Sequence, residues 1–393
     1  MTAHALRADD RNSQAPSLPR AGTSVEWLHT FDAIAALEQP WRALEERASD
    51  RSVLSTFDYN ITWFRWYGGA GPDDSSPAAQ GAPLVGVAKR GSEVVGIAPL
   101  VMRRRRIGRV PVVSIEFVPH EAYAGEFLIE DGHTEIAGTL IDSLHRSVPY
   151  DVICLNGLEP DSHRYAVVAD IAQRRRLTME RTIHPNAVVD LSHGYDHYLA
   201  QRTAHFRQSV RRHSRLIERT GTREVGGVLL TRGIERIDDA VERMIAITEA
   251  SHKLMGQRLA DWHRGFLSEI ARRFGPRRML CLPVLTVGGR NAAFVFGLVE
   301  RQTFYDITLS YDEAFAHLRP GTHLIQEMLR ELAGSGVHTA VSHGAHEYKR
   351  HWASAFVPST RVFLFARTAR AAVTRLLRFR LAPVWRRLGA AEP

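Results

Sequence analysis

Apolar residues recur along this chain with two periods, and the switches between the periods mark out its elements. From Val25 a short alternating run to Thr30 predicts a strand, and Ile34, Leu37, Trp41 and Leu44 then recur at helical spacing to about Ala48. A second helix carries Phe57, Trp63, Phe64, Trp66 and Tyr67, an aromatic cluster that reads as core. Strands are predicted at 83–88, 93–101 and 110–118, then a helix at 134–146, a strand at 151–155, a helix at 162–174 and a strand at 177–183.

The second half repeats this order. A strand at 223–230 precedes helices at 234–250 and 261–274, three strands at 279–287, 292–300 and 303–310, and a helix opened by Pro320. A strand at 338–341, a helix at 347–355 and a strand at 361–366 complete it. The offset of about 190 residues is the signature of a duplicated unit. Between the halves, 195–219 reads as one long basic helix, with Arg207, Arg211 and Arg215 on one face and Phe206, Val210 and Ile217 toward another. The organisation expected is a disordered segment at 1–23, an N-terminal domain at 24–192, a connector helix at 193–221, a C-terminal domain at 222–367 and a basic amphipathic tail at 368–393. The Gly/Pro/Ser-rich stretch at 68–83 lacks the Gly-Lys-Ser/Thr ending of a phosphate loop and reads as a linker.

Composition changes this picture little. The chain has 393 residues, 44% of them hydrophobic and 24% charged, which is ordinary for globular protein. Cys154 and Cys281 each sit in an apolar run, so no disulfide framework is expected and a reducing compartment is favoured. The sequence shows neither a signal-peptide core nor an apolar run of spanning length, and a cytoplasmic location is the expectation. The net charge of +8 attracts acidic partners, but it is carried almost wholly by arginine, a compositional bias that makes nucleic acid an unlikely partner. Lysine occurs only at Lys89, Lys253 and Lys349, which singles those positions out. His193 and His197, and separately His343, His346 and His351, lack a carboxylate or cysteine to complete a metal-binding spacing, so no metal is expected.

The candidate chemistry lies near the end of the chain. Arg319, Pro320, Gly321, Thr322 and His323 open a helix whose apolar face is Leu324, Met328, Leu329 and Leu332, and no acid appears before Glu327. Unpaired N–H groups and the positive end of the helix dipole favour an anion there, although most such helix starts hold only water. The equivalent start in the first half carries Glu130 and Asp131, which already occupy the positive end.

The element order resembles the GNAT acyltransferase fold, an α/β (α+β) arrangement of two tandem units, each a mixed, mostly antiparallel sheet flanked by helices. Three stretches, VVGIAPLVMRR, FRQSVRRHSRLIERTG and LRPGTHLIQEMLRELAGSGVHTAVSHGAHEYKRHW, resemble the tandem-GNAT acetyltransferases of the CelD/BcsL type, linked to polysaccharide biosynthesis, and more distantly the Fem-type aminoacyl ligases. That resemblance implies acyl-CoA, most simply acetyl-CoA, as co-substrate, and an amine acceptor such as an amino sugar or other cell-envelope precursor. The C-terminal half would bind the cofactor through Arg319 to His323, while a degenerate N-terminal half shapes the acceptor cleft. Direct attack by an amine on a thioester needs alignment, oxyanion donors and a base.

For these roles the candidates are Asp306, in mid-strand, as a base, an acceptor-orienting residue or a satisfied structural acid; His343 or Glu347 as the base; and Lys349, beside Tyr348 as in the family's Tyr-Lys pair, as a charge neutraliser. Arg207, Arg211 and Tyr348 are the candidates for acceptor contact. Ser342, His343 and Gly344 stand where the family has an Asp-Phe-Gly-like turn, so no role of that acid carries over. Other readings are an aminoacyl-tRNA-dependent ligase, whose inserted helical hairpin is not visible here, and a non-catalytic accessory protein held at an anionic membrane by its tail. Leu376, Leu377, Phe379, Leu381, Val384 and Trp385 give that tail an apolar side, which either lies on such a membrane or packs on the domain.

Overall fold

Among the described residues, runs of valine, isoleucine and leucine build thirteen strands, numbered in chain order. These are β1 (Thr23–Leu28), β2 (Ala82–Arg90), β3 (Glu93–Ile107), β4 (Val110–Phe117), β5 (Leu128–Ile129), β6 (Val152–Leu158), β7 (Thr178–Asp190), β8 (Arg223–Val228), β9 (Leu280–Val287), β10 (Arg290–Glu300), β11 (Thr303–Tyr311), β12 (Thr339–His343) and β13 (Ala355–Phe365). The computed structural model describes residues 22–68, 81–107, 110–118, 125–160, 162–220, 223–230, 233 and 236–381. Residues 1–21 of the segment expected to be disordered, most of the stretch read as a linker, and Val384 and Trp385 fall outside those residues, while Thr23, expected to be disordered, already belongs to β1.

The helices are α1 (Phe31–Ala35), α2 (Glu38–Arg47), α3 (Phe57–Tyr67), α4 (Glu135–Ser147), α5 (His163–Arg174), α6 (Tyr195–Ala200), α7 (Ala204–Arg219), α8 (Ile237–Ala250), α9 (Asp261–Phe274), α10 (Pro320–Gly334), α11 (Glu347–Trp352) and α12 (Ala369–Leu376). The single connector helix expected at 195–219 is two helices. Thr203 takes an extended conformation and its side chain accepts from the Phe206 N–H, so it caps a new helix, α7, instead of continuing the old one.

All the strands belong to one mixed sheet in the order β1-β2-β3-β4-β6-β13-β7-β12-β11-β10-β9-β8, with β5 attached to β3. This order does not follow the two halves of the sequence. β13, from the second half, lies between β6 and β7 of the first, antiparallel to both, and β7 in turn pairs with β12. One core cluster likewise draws on both halves, packing Trp41, Phe57 and Trp63 with Met244, Phe266 and Phe296. Each such fully buried side chain contributes about 1.5–3 kcal/mol. A buried ion cluster adds specificity to this joint: Asp58 on α3 accepts from Arg42 at 2.8 Å and from Arg273 and Arg277 at 3.1 and 2.6 Å.

Candidate functional site

The site is built on the place where two parallel strands part. β11 and β12 pair only over Thr303–Tyr305 and Thr339–Val341, and beyond those residues they diverge. Between them, and under the first turn of α10, lies a cleft of about 860 Å³ whose walls include Asp306, Ser310, Arg319, Gly321, His343 and Lys349. A smaller apolar recess of about 60 Å³ continues inward, lined by Phe304, Ile325, Met328, Leu329 and Trp352, and it shares Asp306, Tyr348 and Lys349 with the cleft.

Strict alternation along 303–310 would put Phe304, Asp306, Thr308 and Ser310 on one face. A bulge changes this. Phe296 pairs with Thr308 while Gly297 pairs with Asp306, so Ile307 is an extra residue and the phase flips after it. Phe304 therefore shares its core cluster with Leu309 and Tyr311, whereas Tyr305 and Ile307 pack on the opposite core. Asp306 sits just before the bulge, facing the recess.

Its carboxyl is the most constrained polar group there. Oδ2 accepts from the Ser342 hydroxyl at 2.7 Å, and Oδ1 is buried with no hydrogen-bond partner. Burial pushes this acid up, against the Ser342 hydrogen bond and the positive charges of Lys349 and Lys253. Lys349 donates to the His343 carbonyl at 2.6 Å, and burial holds its ammonium below the usual lysine range although Asp306 opposes this. Tyr348 lines both spaces, and burial together with the Asp306 carboxyl pushes its phenol up.

His343, the last residue of β12, contacts two spaces at once. It lines the cleft and also a second cavity of about 280 Å³ at the junction of the two halves. Its Nδ1 lies 3.2 Å from Asn186 Oδ1, an acceptor, so Nδ1 carries the hydrogen and Nε2 keeps a free lone pair. Burial and the Lys349 charge hold the imidazole below its ordinary range, and it is neutral near pH 7.

At the start of α10, Arg319 takes a left-handed conformation (φ 50°) and Pro320 occupies the first helical position, with no acid in the first turn. A Cβ built on Gly321 meets nothing within 4 Å, so backbone and cleft are separated by open space there. These features fit the phosphates of a nucleotide-bearing co-substrate, which Arg319, Gly321 and Thr322 would hold. His323 does not join them. It is 1% exposed and turned to the other side of α10, with Nδ1 3.1 Å from Ser214 Oγ and Nε2 3.3 Å from Arg223. Three positions along a helix from Pro320, it falls on the buried stripe with Leu324.

Other expected residues are also elsewhere. Glu347 is exposed at the first position of α11 and lines neither the cleft nor the junction cavity, because the helix turns it outward. Arg207 is spent on the end of α6, donating to Ala200 O at 3.0 Å and to Arg202 O, and Arg211 is exposed on the outer side of α7. Neither lines the cleft. Sequence reasoning missed Lys253 and Ser342. The rarity of lysine was the available signal for Lys253, whose Nζ lies 3.4 Å from Leu309 O on the cleft wall. Ser342 carried none, since only the strand divergence brings it to Asp306.

In the first half the equivalent helix, α4, starts at Glu135, the acid in its first turn, so Glu130 and Asp131 lie in the turn before it and not at its positive end as expected. Asp131 Oδ1 accepts from the Ser49 N–H and hydroxyl, both at 2.9 Å, and Glu130 accepts from Arg47 at 2.8 Å. Among the described residues, no group of three or more metal-ligating side chains converges.

Residues 204–350 match the acetyltransferase (GNAT) domain family. None of the curated proteins compared matches the sequence. Among solved structures, FemX is similar at 11% identity and a TM-score of 0.56, over 90% of this chain and 99% of that one. The C-terminal domain of an Agrobacterium fabrum protein named as a lysylphosphatidylglycerol synthetase is similar at 11% identity and a TM-score of 0.53, over 87% and 97% of the two chains. A Bacteroides thetaiotaomicron protein of unknown function gives 13% identity and a TM-score of 0.50, over 87% and 100%. At these identities the likeness is one of fold, the fold that FemX also has, and within it residues 204–350 of this chain form the stretch that matches the acetyltransferase (GNAT) domain family.

Proposed function

We propose that the chain is an acyl-CoA-dependent N-acyltransferase, acetyl-CoA being the simplest donor and an amino sugar or other amine-bearing envelope or polysaccharide precursor the acceptor. One observation carries the reading: the divergence of β11 and β12 opens directly onto a helix start free of acids. Donor phosphates would sit at Arg319, Gly321 and Thr322, with the thioester reaching inward toward Asp306 and Lys349. The acceptor would arrive from the junction cavity, since His343 borders both spaces. The amine nitrogen attacks the acyl carbon and loses its proton to His343 Nε2, the C–S bond breaks and the thiolate leaves, and the proton held by His343 is returned to form the free thiol. Lys349 stabilises the oxyanion.

A second reading has its own observation. The unpartnered Asp306 oxygen, at a recess that Lys349 and Ser342 also line, would suit the ammonium of an aminoacyl group, as a Fem-type ligase would require. Calorimetry with acetyl-CoA, longer acyl-CoAs and free CoA separates the two. Binding of an acyl-CoA supports the first, and absence of binding by all of them abandons it.

A further inference from the structure

The junction cavity contains a cation with no charge partner. Arg361 on β13 lines it, and its buried Nε has no hydrogen-bond partner. Among the described residues no carboxylate pairs with it, and none pairs with Arg378 nearby, whereas Arg375 meets Glu180 at 2.7 Å and Arg105 meets Glu116 at 3.2 Å. The surrounding field is positive. Burial and the charges of Arg361 and Arg378 hold the neighbouring His184 imidazole below its ordinary range. Arg361 is half-buried, and a guanidinium that lines a cavity without a carboxylate partner is suited to an anionic group brought in by a ligand.

The same cavity is also lined by Asp50, Glu126 and Glu159, and by Arg51, whose charge is met by Glu300 at 3.0 Å. Glu126 is held by Ser52, Ser55 and Arg164, and Arg164 also meets Asp50 at 3.0 Å. The cavity is therefore bipolar, with an acidic wall suited to an ammonium and an arginine suited to an anion. The strand register supplies a ruler. Asn186 pairs with both His343 and Val357, and Thr182, four residues along β7, pairs with Arg361. Four strand residues span roughly 13 Å. That is a backbone separation, which a long arginine side chain can shorten, so one small molecule with two separated functional groups can address both positions.

We infer that Arg361 binds an anionic group, a phosphate or carboxylate, on the acceptor whose amine is presented at His343. The acceptor class is thus an amine-bearing anion with a sugar-sized body between its two charges, or a lipid headgroup of the same chemistry. This rests on the acyl-transfer reading for the role of His343, but the anion site itself stands apart from the donor cleft.

The test uses the full chain and titrates glucosamine 6-phosphate, glucosamine and glucose 6-phosphate by calorimetry, with flotation on phosphatidylethanolamine vesicles as a separate arm. Glucosamine 6-phosphate is expected to bind at least tenfold tighter than glucosamine. Arg361→Gln should abolish that preference and Arg361→Lys should keep part of it, while both retain acetyl-CoA binding. If the vesicle arm alone responds to Arg361→Gln, the anion belongs to a lipid headgroup. If neither arm shows a gain that depends on Arg361, the inference is overturned, and acetyl-CoA binding measured in the same variants shows whether the donor reading survives it.

Discussion

Ser342 donates its hydroxyl to Asp306 at 2.7 Å across the gap where β11 and β12 diverge, leaving the other Asp306 oxygen buried and unpaired. A buried acid held this way costs stability when it ionises. Its raised folded value means that the unfolded chain releases its proton first as pH rises from about 3.9, so stability falls with rising pH until the folded group has also ionised. Asp306→Asn should remove that fall. Denaturant midpoints measured from pH 3 to 8 are expected to decline for the native chain relative to the variant, while the variant loses acyl transfer. A variant that declines in parallel places the titration on another group.

His343 should set the acid limb of the rate profile. Because burial and Lys349 hold its imidazole below 6.5, the limb of kcat/KM is expected at a pH below 6.5, with the rate falling as His343 gains its proton. His343→Gln should lower the rate by about 10²–10⁴-fold and erase the limb. Asn186→Ala, which frees the ring to change tautomer, should lower the rate with little change in acyl-CoA affinity. An unchanged limb in the His343 variant would assign the base elsewhere.

The start of α10 and the turn that precedes α4 should respond oppositely. Arg319→Glu replaces a favourable charge with an unfavourable one; at about 0.3–1 kcal/mol per charge this weakens acyl-CoA binding by roughly three- to thirtyfold. Gly321→Leu adds a side chain where a Cβ meets no protein atom, so it should fill the cleft without disturbing the fold. In the first half, Asp131→Asn weakens the contacts to Ser49, and Gly132 has a φ of +79° that strains any other residue. Those changes should lower the thermal midpoint and leave acyl-CoA affinity alone. Calorimetry and thermal melts on the four variants read both quantities, and loss of binding from the Asp131 or Gly132 variant puts the donor in the wrong half.

Legibility in the sequence tracked burial. β9 and β10 are almost wholly buried and their apolar runs are plain, whereas the first four residues of β13 are exposed and 355–360 carries no apolar period to reveal a strand there. The long β7–β13 ribbon and its insertion beside β6 were accordingly invisible. The start of α10 was legible because Pro320, Gly321 and the absence of acids are local features. The roles of His323 and Ser342 were not, because one depends on which way a helix face turns and the other on two strands parting. The bulge at Ile307 hid the true company of Asp306, since a single extra residue reverses every later position.

The segment 367–381 contains Arg367, Arg370, Arg375, Arg378 and Arg380 and no acid, and it has two sides. One packs on the protein: Phe379 meets Phe363 and Phe365 at 5.1 and 6.0 Å, Arg370 meets Asp151 at 3.2 Å, and Arg378 lies over Phe363. The other exposes Val373, Leu376 and Leu381 at 41%, 50% and 36%. Truncation at Thr368 would strip the cover from Phe363 and Phe365, so lost membrane binding and lost folding would be indistinguishable. Replacing Val373, Leu376 and Leu381 with serine removes only the outward side. If that side rests on an anionic bilayer, the full chain should float with phosphatidylglycerol vesicles and not with phosphatidylcholine. Each basic residue near the surface contributes about 1 kcal/mol, and salt should weaken the association as the screening length shortens. The triple variant is expected to lose flotation while keeping its thermal midpoint. Equal recovery of both proteins would leave α12 as a packing element alone.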